Sequence, residues 1–209
     1  HTVCASGCNF TSIQAAINAA CPGDTIEVHS GTYAENVVVN KTLTLQGVDT
    51  GAGLPVVDAG GSGDAIKLSA DGCTLEGFIA ENAGSSYSGI KAISNNNTIS
   101  GNNVTGNING ILLESSNGNT VAGNIATANY CGIYLASSSD NTISGNTATR
   151  SATTGSTFGI YLYSSSNNNT LTGNTANGNT YYGIFLQSSC NSNTISGNTA
   201  NGNTHYGIF

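Results

Sequence analysis

The sequence predicts an all-β chain wound as one parallel β-helix, in three-strand coils of about 22–24 residues, with a short capping helix near its start. Three observations predict it. A six-residue phrase, Asn97-Thr98-Ile99-Ser100-Gly101-Asn102, returns at residues 119–124, 141–146, 169–174 and 193–198, in steps of 22, 22, 28 and 24 residues. A second phrase follows each time: Gly110-Ile111, Gly132-Ile133, Gly159-Ile160, Gly183-Ile184 and Gly207-Ile208. The apolar residues between corners also alternate, so that Ile99 faces opposite to Thr98 and Ser100, and Ile133 and Leu135 face opposite to Tyr134. A unit with so few apolar groups cannot fold alone, but stacked on its neighbours it buries a continuous column. Leucine-rich repeats need a denser Leu pattern, and propeller blades need about twice the period.

Residues 1–24 read as a cap. Its helix, residues 11–20, is capped by Thr11 or Ser12, carries Ile13, Ala16, Ile17 and Ala20 on one face, and ends at Cys21-Pro22-Gly23-Asp24. Laid across the first coil, it covers that coil's apolar end. Residues 25–96 read as irregular first coils, and residues 97–209 as regular ones within the same single domain. The corner residues Asn102, Asn124, Asn146, Asn174 and Asn198 are expected to superpose roughly 4.8 Å apart, passing amide hydrogen bonds along the stack. Asn also tolerates the left-handed backbone of sharp corners.

Composition narrows the function. Charged residues are 7% of the chain and the net charge is −7. The basic residues are Lys41, Lys67, Lys91 and Arg150, too few for the basic patch that nucleic acid requires. No apolar run reaches the roughly 18 residues of a membrane span. The start at His1 fits a removed signal peptide, hence secretion to the cell surface. Of six cysteines, Cys4, Cys8 and Cys21 crowd the cap, where Cys8 is expected to bond Cys21 or Cys4. Cys73, Cys131 and Cys190 match no zinc spacing and are candidates for buried thiols or for cross-links between subunits. Asn9, Asn40, Asn96, Asn103 and Asn168 head glycosylation sequons.

The entry Ile13-Gln14-Ala15-Ala16-Ile17-Asn18-Ala19-Ala20, then Pro22-Gly23-Asp24-Thr25-Ile26 and Gly31-Thr32-Tyr33-Ala34-Glu35-Asn36-Val37, resembles that of pectin-lyase-like right-handed β-helices. With the repeated phrases it looks most like NosD-type β-helices with carbohydrate-binding and sugar-hydrolase (CASH) repeats, common in secreted surface proteins. That fold hosts lyases, esterases, hydrolases, adhesins and structural proteins, so the resemblance speaks for fold more than for function. The esterase motifs that the resemblance would imply are missing, the acids look scattered across levels, and Arg150 is the one arginine. Catalytic residues, a metal and a cofactor are therefore not expected. His1, His29 and His205 lie far apart in sequence and there is no Met, which counts against copper delivery.

What remains is the outer surface. Leu112, Tyr134, Tyr161, Phe185 and Phe209 should align as an exposed apolar stripe, widened by Phe158, Tyr182 and Tyr206. Arg150 sits in the 28-residue step, a candidate binding loop. A hydroxyl ladder through Thr98, Thr120, Thr142, Thr170 and Thr194 resembles the face of ice-binding β-helices. The sequence stops midway through a coil, at Gly207-Ile208-Phe209, so either it is a piece of a longer solenoid or that open edge docks on another subunit. The first expectation is a structural protein of a surface layer, sheath or fibre, self-associating through its coil ends and the stripe. The second is a carbohydrate-binding or adhesive module, and the third a polysaccharide-active enzyme.

Overall fold

Three short strands per coil cannot satisfy their own backbone groups, so each must bond to the coils before and after it. The computed structural model, which describes residues 1–149 and 157–209, shows this arrangement. Nine strands from Thr2–Val3 to Thr194–Ser196 form one parallel sheet, and eight from Val37–Val39 to Tyr206–Ile208 form a second. Five more, from Thr32–Tyr33 to Ile125–Thr127, form a third, which single bridges through Thr147, Thr175 and Thr199 extend. The chain is a parallel β-helix.

Register is uniform because inward and outward residues alternate, and a one-residue slip would put every apolar side chain in water. Ile99, Val121, Ile143, Leu171 and Ile195 pair in series, and so do Ile111, Ile133, Ile160 and Ile184. The first four of each series are fully buried and belong to one core running along the stack. The turn after each Thr-x-Ser-type strand needs a left-handed backbone, which Gly101, Gly123, Gly145, Gly173 and Gly197 supply at φ 62–63°.

The next residue is the Asn of the corner, and the expected column forms. Asn102, Asn124, Asn146 and Asn174 each donate from Nδ2 to Oδ1 of the next coil's Asn, at 2.9–3.0 Å. Two further columns stand beside it. One runs Asn97, Asn119, Asn141, Asn169, Asn193; the other links Asn107 to Asn129 and Asn179 to Asn203. These amides are almost wholly buried except in the last coil, where Asn193, Asn198 and Asn203 are half-buried, and each acceptor oxygen also takes the backbone N–H of the preceding coil's Asn, as Asn124 does from Asn102.

The capping helix is shorter than the sequence suggested, Ile13–Ala19 with Ser12 as N-cap. Glu35 sets its start: the carboxylate accepts from the Ile13 and Gln14 N–H groups at 2.8 and 3.0 Å and from the Ser12 hydroxyl. Lys41 sets its end, donating from Nζ to the carbonyls of Ile17, Asn18 and Ala20. One of the four cations is thus committed to the cap. Of the two partners open to Cys8, the structure takes Cys4, and Cys21 is a free, exposed thiol.

Candidate functional site

The outward face of the eight-stranded sheet gathers most of the side chains picked out in the sequence. Its central ladder runs in register through Val38, Lys67, Lys91, Leu112, Tyr134, Tyr161 and Phe185, and backbone bonds set Phe209 beside it. A parallel ladder adds Cys131, Phe158, Tyr182 and Tyr206. The rungs are charged early and aromatic late. Lys91 Nζ meets Glu114 Oε2 at 2.8 Å, and the rings begin one coil further on.

The rings stack on one another along the axis. Tyr134 and Tyr161 lie 5.0 Å apart with planes 7° from parallel, and Tyr161 and Phe185 lie 4.9 Å apart at 11°. Phe158 joins from the side against Tyr161 and Phe185. Stacking corrects the expectation of an exposed stripe. Leu112, held in register between Lys91 and Tyr134, is 7% exposed, and Phe185 is 9% exposed. Tyr134, Phe158, Tyr161 and Tyr182 are half-buried, while Tyr206 and Phe209 stay open at 53% and 57%. In this aromatic wall the ring faces of Tyr134, Tyr161 and Phe185 are taken up by one another.

Its electrostatics are those of a dry surface. Burial among the rings, then the neighbouring Tyr134 and Tyr163 hydroxyls, pushes the Tyr161 phenol up to about 12. Tyr134 is raised as well, chiefly by burial. General acid or base work near neutral pH needs a pKa near that pH, so neither phenol is tuned for it. Glu114 is tied to Lys91.

The remaining candidates disperse. Cys73 and Cys131 are 1% and 2% exposed, the first in the core and the second among the aromatic side chains, so burial holds their thiols away from any partner subunit; Cys190 is half-buried. Burial raises the Cys131 thiol far above the ordinary range. Asn9, Asn40, Asn96 and Asn168 are exposed and Asn103 partly so. Arg150 lies outside the described residues.

Sequence reading missed three things. The threonine ladder is longer than its visible part, for Thr25, Thr44 and Thr74 continue it in register to Thr98, making eight rungs to Thr194. The acids are less scattered than they look, because Asp58 and Glu81 occupy adjacent rungs. Asp58 accepts from Gly60 N–H and Asn82 Nδ2, which hold its pKa below the usual range, so it is no proton donor. Lastly, the first strand brings His29 to Cys4 and Cys8. The broken spacing of the early coils hid all three.

A family model described as periplasmic copper-binding protein (NosD) matches residues 22–209. The chain belongs to the NosD family. Among solved structures, it is similar to the A-module of the Azotobacter vinelandii mannuronan C-5 epimerase AlgE4, at TM-score 0.68 and 17% identity, over 88% of this chain and 55% of that one. The periplasmic alginate epimerase AlgG aligns at TM-score 0.64 and 16% identity, over 90% of this chain and 51% of that one. The Aspergillus niger pectin methylesterase aligns at TM-score 0.45 and 12% identity, over all of this chain and 88% of that one. No curated protein matches by sequence. The chain spans about half the length of the epimerases it matches. No described helix is long and apolar enough to cross a membrane.

Proposed function

We propose that this NosD-family β-helix is a non-catalytic structural element of the periplasm or cell surface, and that it self-associates through the aromatic wall. The observation that carries the proposal is the orientation of the rings. A ring that binds a sugar, or a cation, does so across an open face. Here Tyr134, Tyr161 and Phe185 spend their faces on each other and present a flat strip of edges. Such a strip suits a second flat strip, and a second copy of the chain supplies one. The exposed Tyr163, at 37%, and Tyr206 flank the strip and add hydroxyls at its rim.

The fit to copper, which the family description names, also bears on function. Copper sites draw on Cys, His and Met. Among the described residues one group of three such ligands comes together, Cys4, Cys8 and His29, and its sulfurs are bonded to each other. In that form it offers no thiolate, and the chain as it stands does not fit the ion there.

Analytical ultracentrifugation tests the proposal. The wild-type chain is expected to self-associate with rising concentration, and Tyr134→Ser with Tyr161→Ser to remain monomeric while keeping its β circular dichroism. A wild type that stays monomeric at the highest soluble concentration overturns it.

One feature supports a second reading. Lys67 and Lys91, the latter paired with Glu114, lie on the same ladder as the rings, and cations leading into an apolar strip suit an acidic polysaccharide such as the mannuronan and the alginate named for two of the structural neighbours. Titration with oligomannuronate, with Lys67→Ala and Lys91→Ala as controls, separates the two. Binding that weakens about tenfold in the lysine variants and falls with salt favours the glycan.

A further inference from the structure

The outward face of the nine-stranded sheet serves neither the core nor the aromatic wall. Each of its regular strands is clamped at both ends by the Asn columns: Asn97 and Asn102 bracket Thr98–Ser100, and the bracket recurs coil by coil to Asn193 and Asn198. Bonds of 2.9–3.1 Å from Nδ2 to Oδ1 tie both brackets to the next coil. With both ends of each strand fixed, the rungs stand at one spacing, about 4.8 Å.

The chemistry of that face is as uniform as its spacing. From Thr25 to Thr194 all eight rungs of one column are threonine. Beside the last five runs a second column of Ser100, Ala122, Ser144, Thr172 and Ser196. The fold does not demand this. On the eight-stranded sheet the corresponding outward column passes from Val38 through Lys67 and Leu112 to Tyr134 and Phe185. The strip of the last five coils carries no charge, and its hydroxyls bond to no other group of the protein among the described residues. Along one border run the corner glycines. A Cβ added at Gly101, Gly123 or Gly145 would meet nothing within 4 Å, so no side chain rises above the strip there.

A threonine hydroxyl offers one donor and two acceptor sites, and the β-branch restricts its χ1 rotation. Stacked in register, such hydroxyls form a fixed grid, about 4.8 Å along the rod and about 6.6 Å across it, the rise of two strand residues. Liquid water has no lasting repeat to match such a grid. Hexagonal ice has one, and on its prism faces the oxygens recur on a rectangular net of comparable dimensions.

We infer that the hydroxyl strip from Thr98–Ser100 to Thr194–Ser196 is an ice-binding face. Waters held on the hydroxyls, with the threonine methyls between them, stand where the next layer of the crystal requires oxygens. The clamped strands have already given up the freedom that adsorption would otherwise remove. Glu27 and Glu76 take the second column in the earlier coils, where a charge keeps its liquid hydration shell, and they mark the end of the strip. The strip and the aromatic wall lie on different sheets, so the inference stands or falls apart from self-association.

The test grows ice slowly from a solution of the whole chain and measures the share of protein taken into it, with thermal hysteresis read on the same samples. The wild type is expected to concentrate in the ice and to hold seed crystals unchanged below the melting point. Thr142 sits mid-strip and is exposed, so lysine there leaves the core untouched. Thr142→Lys is expected to lower the ice-bound share about tenfold, because a charge is pressed against a solid that cannot solvate it. Tyr134→Ser with Tyr161→Ser, on the other sheet, is expected to bind ice as the wild type does. Circular dichroism checks the fold of each variant. A wild type excluded from the ice overturns the inference, as does a folded Thr142→Lys that partitions like the wild type. Loss of ice affinity in the folded tyrosine variant overturns the assignment to this face.

Discussion

The coils before residue 97 and those after it solve the same problem by different means. In the later coils three columns of corners repeat one bond, Asn amide to Asn amide. In the earlier coils each corner has its own device. Asp64 takes the Ser88 N–H at 2.8 Å, Asp71 takes the Asn95 N–H at 2.7 Å, and Asp49 takes those of Gly51 and Gly53. Charge follows the same division. Nine acidic and three basic residues give positions 1–96 a formal charge of −6, against two acids and Arg150, a charge of −1, for positions 97–209. The early coils must join a helix to a helical stack of strands, and no repeated residue can serve a boundary whose geometry changes at every level. The later coils propagate a geometry already set, and a neutral amide that both donates and accepts can repeat indefinitely where a carboxylate would repel its own copy.

That comparison can be broken by substitution. Asn124→Ala is expected to have the largest effect, about 3–5 kcal/mol in urea unfolding, because it strips partners from the Asn102 N–H, the Asn102 amide and the Ile99 carbonyl, all buried. Asp64→Ala in the early coils removes one partner from a part-buried N–H, at about 1 kcal/mol. Equal costs at the two sites would erase the distinction between column and single device.

Gly47→Ala comes next, at about 2–3 kcal/mol, since its new Cβ would meet the Gly77 carbonyl oxygen and Pro55. Gly101→Ala, with open space around it but φ +62°, should cost roughly 1–2 kcal/mol of backbone strain. A thermal melt of both variants ranks them, and a Gly101 variant as damaged as the Gly47 one would show that strain outweighs contact.

Glu35→Gln sharpens the boundary side at about 1 kcal/mol, weakening the charged bonds to the helix N-terminus that Ser12 alone cannot replace. The readout is the helical part of the circular dichroism, and a spectrum unchanged through the melt would count against Glu35 as the determinant of the helix start.

The smallest expected effect belongs to the aromatic wall at alkaline pH. The folded Tyr161 phenol titrates near 12, above its ordinary value of 10. Its contribution to stability is therefore complete below pH 10 and is lost as pH rises from 10 towards 12. Phenolate absorbance should show one late-titrating group that Tyr161→Phe removes. An unaltered titration curve in that variant would mean that the stack does not dry the phenol.

Much of this was legible in the chain because period-2 alternation and a repeated corner are strong constraints. Ile99, Ile133 and Asn102 could stand nowhere but inside once the coils were stacked. The wall was legible in membership and not in exposure, since whether Leu112 and Phe185 face solvent depends on where adjacent rings lean. The cap was read two residues long at its start because the carboxylate that fixes it, Glu35, arrives from 22 residues away. The Cys4–Cys8–His29 group was out of reach for the same reason: strand pairing, and no local pattern, brings residue 29 to residue 8.

The longest step between repeats has a consequence for how such chains change over generations. Asn141 and Asn169, 28 residues apart, bond at 3.0 Å, and Asn119 and Asn141, 22 residues apart, bond at 3.1 Å. The rung does not register how much chain was spent between its two ends. Insertions at a corner and duplications of a whole coil are then both near-silent to the interior, which makes unequal recombination between these look-alike segments a gentle way to alter the rod. Its length and its loops are free to vary in separate lineages while the sequence of the core stays put.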